Sequence, residues 1–277
     1  MGIFNNIIND IAEEPWLIPE SPEREDFLFF RGSSHRSISM YRCLIASYWS
    51  IWILISILGS VGVPLPDALF GSMDNDMGEK WLIFLTNWSM VLLGTYLWTA
   101  FAASLYTDHS PRLLQTVWVL RNCTAVAALV VSLLFWCVLF PAIKKTSWTD
   151  VHCHAVNSFL VLLDLTLTHV PYYFKHGWMP FLYLVLYLLF SVVYWAEGGT
   201  DPEGDPYIYE PLDYDHPGAA TGLVLAVVFL VVPFVHVSLY AYTRCLSQGL
   251  CQACFGEGGK MGRREGARTD RLPLLPA

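Results

Sequence analysis

Six long apolar stretches, separated by short polar or proline-containing connections, dominate the pattern of residues along the chain. A helix needs about 20 apolar residues to cross the hydrocarbon core of a bilayer. Because that core offers the backbone no hydrogen-bond partners, segments of this length are predicted to be helices. The predicted spans are Leu44–Val63, Trp81–Tyr106, Gln115–Phe140, Val151–Val170, Met179–Ala196 and Gly218–Tyr242. The pattern therefore predicts an all-α fold, a six-transmembrane-helix bundle.

The amino-acid composition supports an integral membrane protein. Hydrophobic residues make up 55% of the chain and charged residues only 14%, whereas a soluble domain is about a quarter charged. A soluble helical protein with a large core is the alternative, but too few polar residues remain to coat it. The net charge of −8 argues against a nucleic-acid partner.

The distribution of Lys and Arg predicts the orientation of the bundle. Basic residues cluster before the first span and after the sixth, whereas the connection between spans five and six has neither Lys nor Arg and is rich in acids. Cytosolic loops carry the excess of Lys and Arg. We therefore expect both termini in the cytosol and the acidic loop 197–217 outside the cell. Lys144 and Lys145, on the outer side, are a mild exception.

This topology divides the chain into a cytosolic N-terminal segment (1–40), a membrane domain (41–243) that includes the acidic loop, and a disordered cytosolic tail (244–277). Within the first segment, apolar residues recur at helical spacing and predict a short amphipathic helix. They are Ile3, Phe4, Ile7, Ile8 and Ile11. The polar face is acidic, whereas helices that lie on membranes are usually basic. We therefore expect this helix to pack against the protein's own cytosolic side.

The tail carries two short motifs. Cys245, Cys251 and Cys254 lie just inside the membrane, where they are either reduced thiols or sites of reversible palmitoylation. No second cysteine pair follows Cys251 and Cys254, so no metal site is predicted. Asp270, Leu274 and Leu275 have the form of a dileucine sorting signal, which would bind a clathrin adaptor and cycle the protein between plasma membrane and endosomes. Such short motifs also arise by chance.

The fourth span contains the largest group of polar residues at membrane depth. On a helical projection, His154, Asn157, Asp164 and Thr168 fall within an arc of about 80°. His152 points the opposite way and is expected at the membrane interface. A polar stripe is predicted to face the bundle interior. It is interpreted as a structural hydrogen-bond network, as part of a catalytic site, or, as a minor alternative, as a proton or cation path.

Thr86 in the second span and His154 in the fourth are expected at the same depth. Each lies a few residues below the outer end of its helix, roughly 5–8 Å below the core surface at a rise of about 1.5 Å per residue. A histidine can act as general base to a hydroxyl nucleophile. The alternative for Thr86 is a hydrogen bond to its own helix backbone.

Three sequence motifs, recurring in order, carry a family resemblance. They are Trp81-Leu-Ile-Phe-Leu-Thr-Asn-Trp, then His154-Ala-Val-Asn-Ser with Asp164, then Ser191-Val-Val-Tyr-Trp-Ala-Glu-Gly-Gly-Thr. With Tyr207-Ile-Tyr and Leu212-Asp-Tyr, these residues resemble the rolling stone family of multi-pass membrane proteins over roughly residues 40 to 245. The resemblance implies a plasma-membrane protein with a role in myoblast fusion.

A more distant resemblance concerns the androgen-induced membrane hydrolases, which cleave fatty-acid esters of hydroxy fatty acids. Thr86 sits in Phe84-Leu85-Thr86 as their threonine does, and His154 opens a helix with Asp164 ten positions on, as in that family. The resemblance implies that Thr86 and His154 are catalytic, with membrane lipids as substrates and no cofactor.

A hydrolase of this kind also needs a donor to the oxyanion. Asn87 and Asn157 are the candidates, and Asp164 is a candidate to cap a polar cavity.

The second hypothesis is a non-catalytic cell-surface protein that acts in cell fusion or adhesion. Its supporting feature is the acidic loop, where Tyr207, Tyr209 and Tyr214 lie among carboxylates. Aromatic residues are enriched at partner surfaces. The alternative is a solvated loop that only enforces topology.

Overall fold

In the computed structural model, residues 2–19, 30–31, 38–63, 78–105, 111–144 and 146–247 are described. Within these ranges the regular structure is helical, and one isolated bridge joins Phe30 to Thr168. The prediction of an all-α fold is therefore confirmed. Five residues of the palmitoylation and sorting predictions lie outside the described residues: Cys251, Cys254, Asp270, Leu274 and Leu275.

Seven helical segments follow one another along the described chain. They are α1 (Gly2–Glu13), α2 (Ile38–Ser60), α3 (Leu85–Leu105), α4 (Pro111–Leu134, continued by Phe135–Leu139 and Phe140–Ile143), α5 (Trp148–Val151, His152–Val156 and Asn157–Leu167), α6 (Trp178–Ala196) and α7 (Pro217–Ala226, Val227–Val231 and Val232–Ser247). Short 3₁₀ segments precede α3 at Gly78–Ile83 and α6 at Phe174–Gly177, and another lies at Glu210–Leu212.

Local sequence explains where several of these helices begin and end. Pro111 and Pro217 open α4 and α7, a position where the missing proline N–H is not needed. Ser147 and Asp150 form a capping box at the start of α5, with the Ser147 hydroxyl accepting from the Asp150 backbone N–H. Lys144 ends α4 in the left-handed conformation, at φ 54°, which is a common helix stop.

Five of the described helical stretches are long and apolar enough to cross a membrane. They are Ile38–Ser60, Leu85–Leu105, Pro111–Leu139, Phe174–Ala196 and Pro217–Ser247. The fourth predicted span does form a helix, α5, but its polar residues keep it outside that group. It also ends earlier than predicted, at Leu167, because Thr168 turns to extended backbone.

The helix α4 lies at the centre of the bundle and contacts α3, α5, α6 and α7, while α2 packs on the far side of α3. Small residues on α4, such as Ala125 and Ala128, are fully buried and let neighbouring backbones approach closely. Large apolar side chains on α6 and α7 point outward, among them Leu189, Phe229 and Leu230. An outward apolar face suits a bundle whose solvent is lipid.

The N-terminal helix packs against the bundle, as its acidic face predicts. Asp10 pairs with Arg244 at the end of α7. The Lys175 ammonium, just before α6, donates to the carbonyls of Ala12 (2.9 Å) and Glu14 (2.6 Å). The end of the bundle that carries α1 is therefore also the end where α7 finishes.

The acidic loop folds over the opposite end. Lys80 donates to the Thr200 hydroxyl (2.8 Å) and the Asp201 carbonyl (2.6 Å). The Tyr214 hydroxyl hydrogen-bonds to that of Ser191 (2.6 Å), and the Tyr209 hydroxyl accepts from the Leu85 backbone N–H (3.0 Å). The hydroxyl groups of Tyr209 and Tyr214 thus anchor the loop to the bundle, and the partner surface predicted from Tyr207, Tyr209 and Tyr214 stays a prediction.

Candidate intramembrane active site

Three helices contain a π-turn, and all three turns meet at the end of the bundle beneath the acidic loop. The turns are Phe135–Leu139 in α4, His152–Val156 in α5 and Val227–Val231 in α7. Such turns are rare and occur frequently at functional sites. Each contributes side chains to one cavity of about 90 Å³.

The wall of this cavity is apolar with four exceptions. Leucine, valine and phenylalanine side chains from α4, α6 and α7 form most of the lining, and Leu212 from the loop closes it. The polar side chains are those of Thr86, His154, Tyr187 and Tyr209. An apolar cavity with a few convergent polar groups is the usual form of a small-molecule site.

Thr86 is the second residue of α3 and is half-buried. Further along the same helix, Thr95 and Thr99 each donate to the carbonyl four residues earlier, at 2.8 and 2.6 Å. Thr86 makes no such bond in the described hydrogen-bond network, and its side chain interacts instead with the Tyr209 hydroxyl. The Thr86 hydroxyl is therefore not tied to its own helix backbone.

His154 is buried and held by α4. Its ring stacks on Phe135 with centroids 3.8 Å apart and planes within 2°. The Trp136 indole N–H donates to the His154 carbonyl at 3.2 Å. The ring also hydrogen-bonds to the Val131 carbonyl, while Nδ1 has no partner. A neutral imidazole keeps one nitrogen lone pair that can accept a proton.

Thr86 and His154 thus line one cavity at the same end of the bundle, although no hydrogen bond joins them among the described contacts. Hydrogen bonds between catalytic groups are often loose before a substrate binds. The arrangement places a threonine and a histidine side chain around an apolar space.

The remaining predicted site residues lie elsewhere. The Asn87 amide donates to the Trp81 carbonyl at 2.6 Å. The Asn157 amide donates to the Ser89 hydroxyl at 3.1 Å. Asp164 accepts from the Tyr96 hydroxyl at 2.5 Å. None of the three lines the cavity, so the structure offers no support for them as oxyanion donors or as its polar cap.

The π-turn in α5 explains why the predicted stripe separates. A wider turn between His152 and Val156 changes the register, so His154 stacks on Phe135 of α4, Asn157 bonds to α3, and Asp164 lies between Tyr96 of α3 and Arg121 of α4. His152, expected at the membrane interface, is buried against α2: its ring stacks on Trp52 with centroids 3.3 Å apart, and Nε2 accepts from the Tyr48 hydroxyl at 2.8 Å.

Arg121, in the middle of α4, is a buried residue that the sequence reasoning missed. It forms an ion pair with Asp164 at 3.7 Å, and it donates to the Val170 carbonyl at 2.8 Å and the Thr168 hydroxyl at 3.3 Å. The signal was present in the sequence, since an arginine inside an apolar span needs a partner. A fixed cation beside Asp164 also disfavours the predicted cation path.

Three further features of the described residues concern modification, metal binding and the other buried histidines. Cys245, the palmitoylation candidate within the described residues, is exposed at the end of α7. Over the described parts of the chain, no group of three His, Cys, Asp or Glu side chains is arranged to hold a metal ion. The described buried histidines other than His154 that sit in helices bond to tyrosine, tryptophan or backbone atoms.

The fold and the cavity together define a class: an integral membrane protein of several apolar helices with a small, largely apolar internal site. The family model described as Protein rolling stone matches residues 85–253, more than half of the chain, and this chain belongs to the rolling stone family. Thr86, His154 and Tyr209 all lie within the matched region.

One curated relative is Protein rolling stone of Drosophila melanogaster, 27% identical over 133 residues. The alignment covers 45% of this chain and 46% of the relative, so this chain matches about half the length of the fly protein. No solved structure matches the chain.

Proposed function

We propose that this member of the rolling stone family is an intramembrane lipid-ester hydrolase, with Thr86 as nucleophile and His154 as general base. The observation that supports the proposal is the cavity, because its apolar wall includes both Thr86, whose hydroxyl is free of its own helix backbone, and His154, whose Nδ1 has no partner. The resemblance to the androgen-induced membrane hydrolases points to the same pair.

In the proposed reaction, the His154 imidazole takes the proton of the Thr86 hydroxyl as the threonine oxygen attacks the ester carbonyl. The tetrahedral intermediate collapses when the alcohol leaves and takes that proton from His154, which produces an acyl-threonine. Water, again deprotonated by His154, attacks the acyl group and releases the fatty acid and the free hydroxyl. The Tyr209 hydroxyl supports the Thr86 side chain in this scheme, and it replaces Asn87 and Asn157 as the candidate oxyanion donor.

The experiment uses the full chain in detergent, labelled with a fluorophosphonate and assayed with 4-methylumbelliferyl palmitate. Thr86→Ala should lose labelling, and His154→Ala should lose turnover by about 10²–10⁴-fold, the usual contribution of a general base. The double variant should be no slower than the worse single variant, because residues that act as a unit are non-additive.

Thr95→Ala is the matched control, since Thr95 is an exposed, back-bonded threonine on the same helix. Wild-type protein that neither labels nor hydrolyses long-chain esters would overturn the proposal, and so would full turnover in both single variants.

The rival function, a cell-surface role in fusion or adhesion, depends on loop 197–217. Two of its three tyrosines anchor the loop on the bundle, which favours a role as a roof over the cavity. Tyr207, bonded to Asp205 at 3.1 Å, and the exposed acids around it remain the surface that such a partner would contact. The rival would be favoured if cells with Thr86→Ala alone fused normally and cells in which this surface was also changed did not.

Both candidate functions require the same membrane topology. We infer six spans, with α5 as the polar fourth, cytosolic termini and a plasma-membrane location with endosomal cycling. The support for α5 as a span is its position: it lies between α4 and α6, which both meet the length and composition of a membrane helix.

A further inference from the structure

A second apolar depression lies on the outside of the bundle, between α4 and α7. We define it as the α4–α7 groove, about 580 Å³ in volume. Its residues from α4 are Leu133, Leu134, Cys137 and Val138, and its residues from α7 are Phe229, Leu230, Val231 and Phe234. Most of them are exposed at the surface that faces lipid.

The groove and the cavity share part of one wall. Leu134 and Val138 line both spaces. The same two π-turns, Phe135–Leu139 and Val227–Val231, supply residues to each. The groove and the cavity that holds Thr86 and His154 are therefore neighbours, with Leu134 and Val138 in contact with both spaces.

We propose that the α4–α7 groove binds one fatty-acyl chain, which reaches the cavity sideways from the bilayer. This inference rests on the proposed function, and it adds the path and the class of substrate: a lipid ester that leaves its acyl chain in the membrane. Apart from the Cys137 thiol, the groove has no polar side chain, so it could not hold a charged headgroup. An acyl chain needs only apolar contact.

Two other occupants are distinguishable. Ordinary bilayer lipid would contact every outward apolar face equally, including that of α6. A second copy of the chain would bury Phe229 and Phe234 in a symmetric interface. The shared wall favours the acyl chain, because neither alternative explains why this groove, of the outward apolar surfaces, lies beside the cavity lined by Thr86 and His154.

The test uses full-length Thr86→Ala protein in nanodiscs, so that binding is measured without turnover. The probe is a palmitate ester with a diazirine in mid-chain, and cross-linked peptides are mapped by mass spectrometry. Labelling should concentrate in 133–138 and 229–234 and be displaced by unlabelled ester. Cys137→Trp fills part of the groove and should lower labelling on the order of tenfold. This is the loss expected when two methylene groups of the acyl chain lose their apolar contacts.

Leu189→Trp is the matched control, because Leu189 is an exposed residue on the lipid-facing side of α6 and outside the groove. It should label like the parent. Labelling spread evenly over all outward helices would overturn the proposal, as would unchanged labelling in Cys137→Trp, or cross-links between two copies through Phe229 and Phe234.

The two proposals can fail separately. Specific labelling of the groove in a protein that hydrolyses no ester would leave a lipid-binding groove and remove the enzyme. Normal hydrolysis in an otherwise wild-type Cys137→Trp protein, together with unchanged labelling, would remove the groove and leave the enzyme.

Discussion

At the scale of single residues, Tyr209 shows what folding adds to the sequence. The sequence placed it in a loop among acids and predicted a partner surface. In the structure its hydroxyl accepts from the Leu85 backbone N–H and interacts with Thr86. The same hydroxyl also interacts with that of Tyr187, so Tyr209 links the loop to two polar side chains of the cavity. No spacing rule could have paired Tyr209 with Thr86, because the contact joins residues more than a hundred positions apart.

Replacing Tyr209 by Phe removes that hydroxyl and keeps the ring that packs on Phe84. We expect kcat to fall by about 10²-fold with little change in KM, as when a donor to the transition state is lost. Tyr214→Phe is the control, because it removes a hydroxyl from the same loop that bonds to Ser191 outside the cavity. Equal losses of kcat in both variants, measured on a long-chain fluorogenic ester, would mean that Tyr209 only holds the loop.

At the scale of helices, the sequence predicts where helices exist better than which way their side chains face. Every predicted span contains a helix, because length and apolar content decide that in a bilayer. The π-turn in α5 was not predicted, and it moved His154 out of the stripe shared by Asn157 and Asp164. A uniform 100° per residue cannot anticipate such a turn, which depends on packing against α2 and α4.

The ion pair between α4 and α5 is expected to carry much of their association. Asp164→Asn leaves Arg121 buried without its counter-charge, so we expect a loss of about 3–5 kcal/mol in the free energy of unfolding. Replacing both, as Arg121→Met with Asp164→Leu, should restore most of it. Thermal unfolding in detergent measures the effect, with the exposed-pair variant Asp213→Asn as control. An Asp164→Asn protein as stable as wild type would show that the pair contributes nothing.

At the scale of the whole molecule, the bundle has two distinct ends. One carries α1, packed on Arg244 and Lys175. The other carries the acidic loop and the cavity. Among the described residues, the basic Lys175 and Arg244 thus lie at one end and the acidic loop at the other. The count of six spans depends on α5. Its polar side chains form hydrogen bonds with α2 and α3 and an ion pair with α4 inside the bundle.

The two ends are expected on opposite sides of the membrane. An epitope inserted at Gly204, which is in an open turn with φ 95°, should bind antibody on intact cells. Epitopes at either terminus should bind only after permeabilisation, because an even number of spans returns the chain to the cytosol. Staining of a terminal epitope on intact cells would contradict both the orientation and the six spans.

The three π-turns also bear on how this cavity arose and how it can be recognised in other chains. A π-turn is geometrically equivalent to one extra residue within an α-helix, so we expect each of the three turns to correspond to a single-residue insertion relative to a regular helix. Homologous chains without the insertions would align to these three helices with single-residue gaps inside apolar runs, where insertions are rarely tolerated. Gaps at all three places would identify homologous chains without the cavity. The point in the family tree where the gaps disappear would show when the cavity arose.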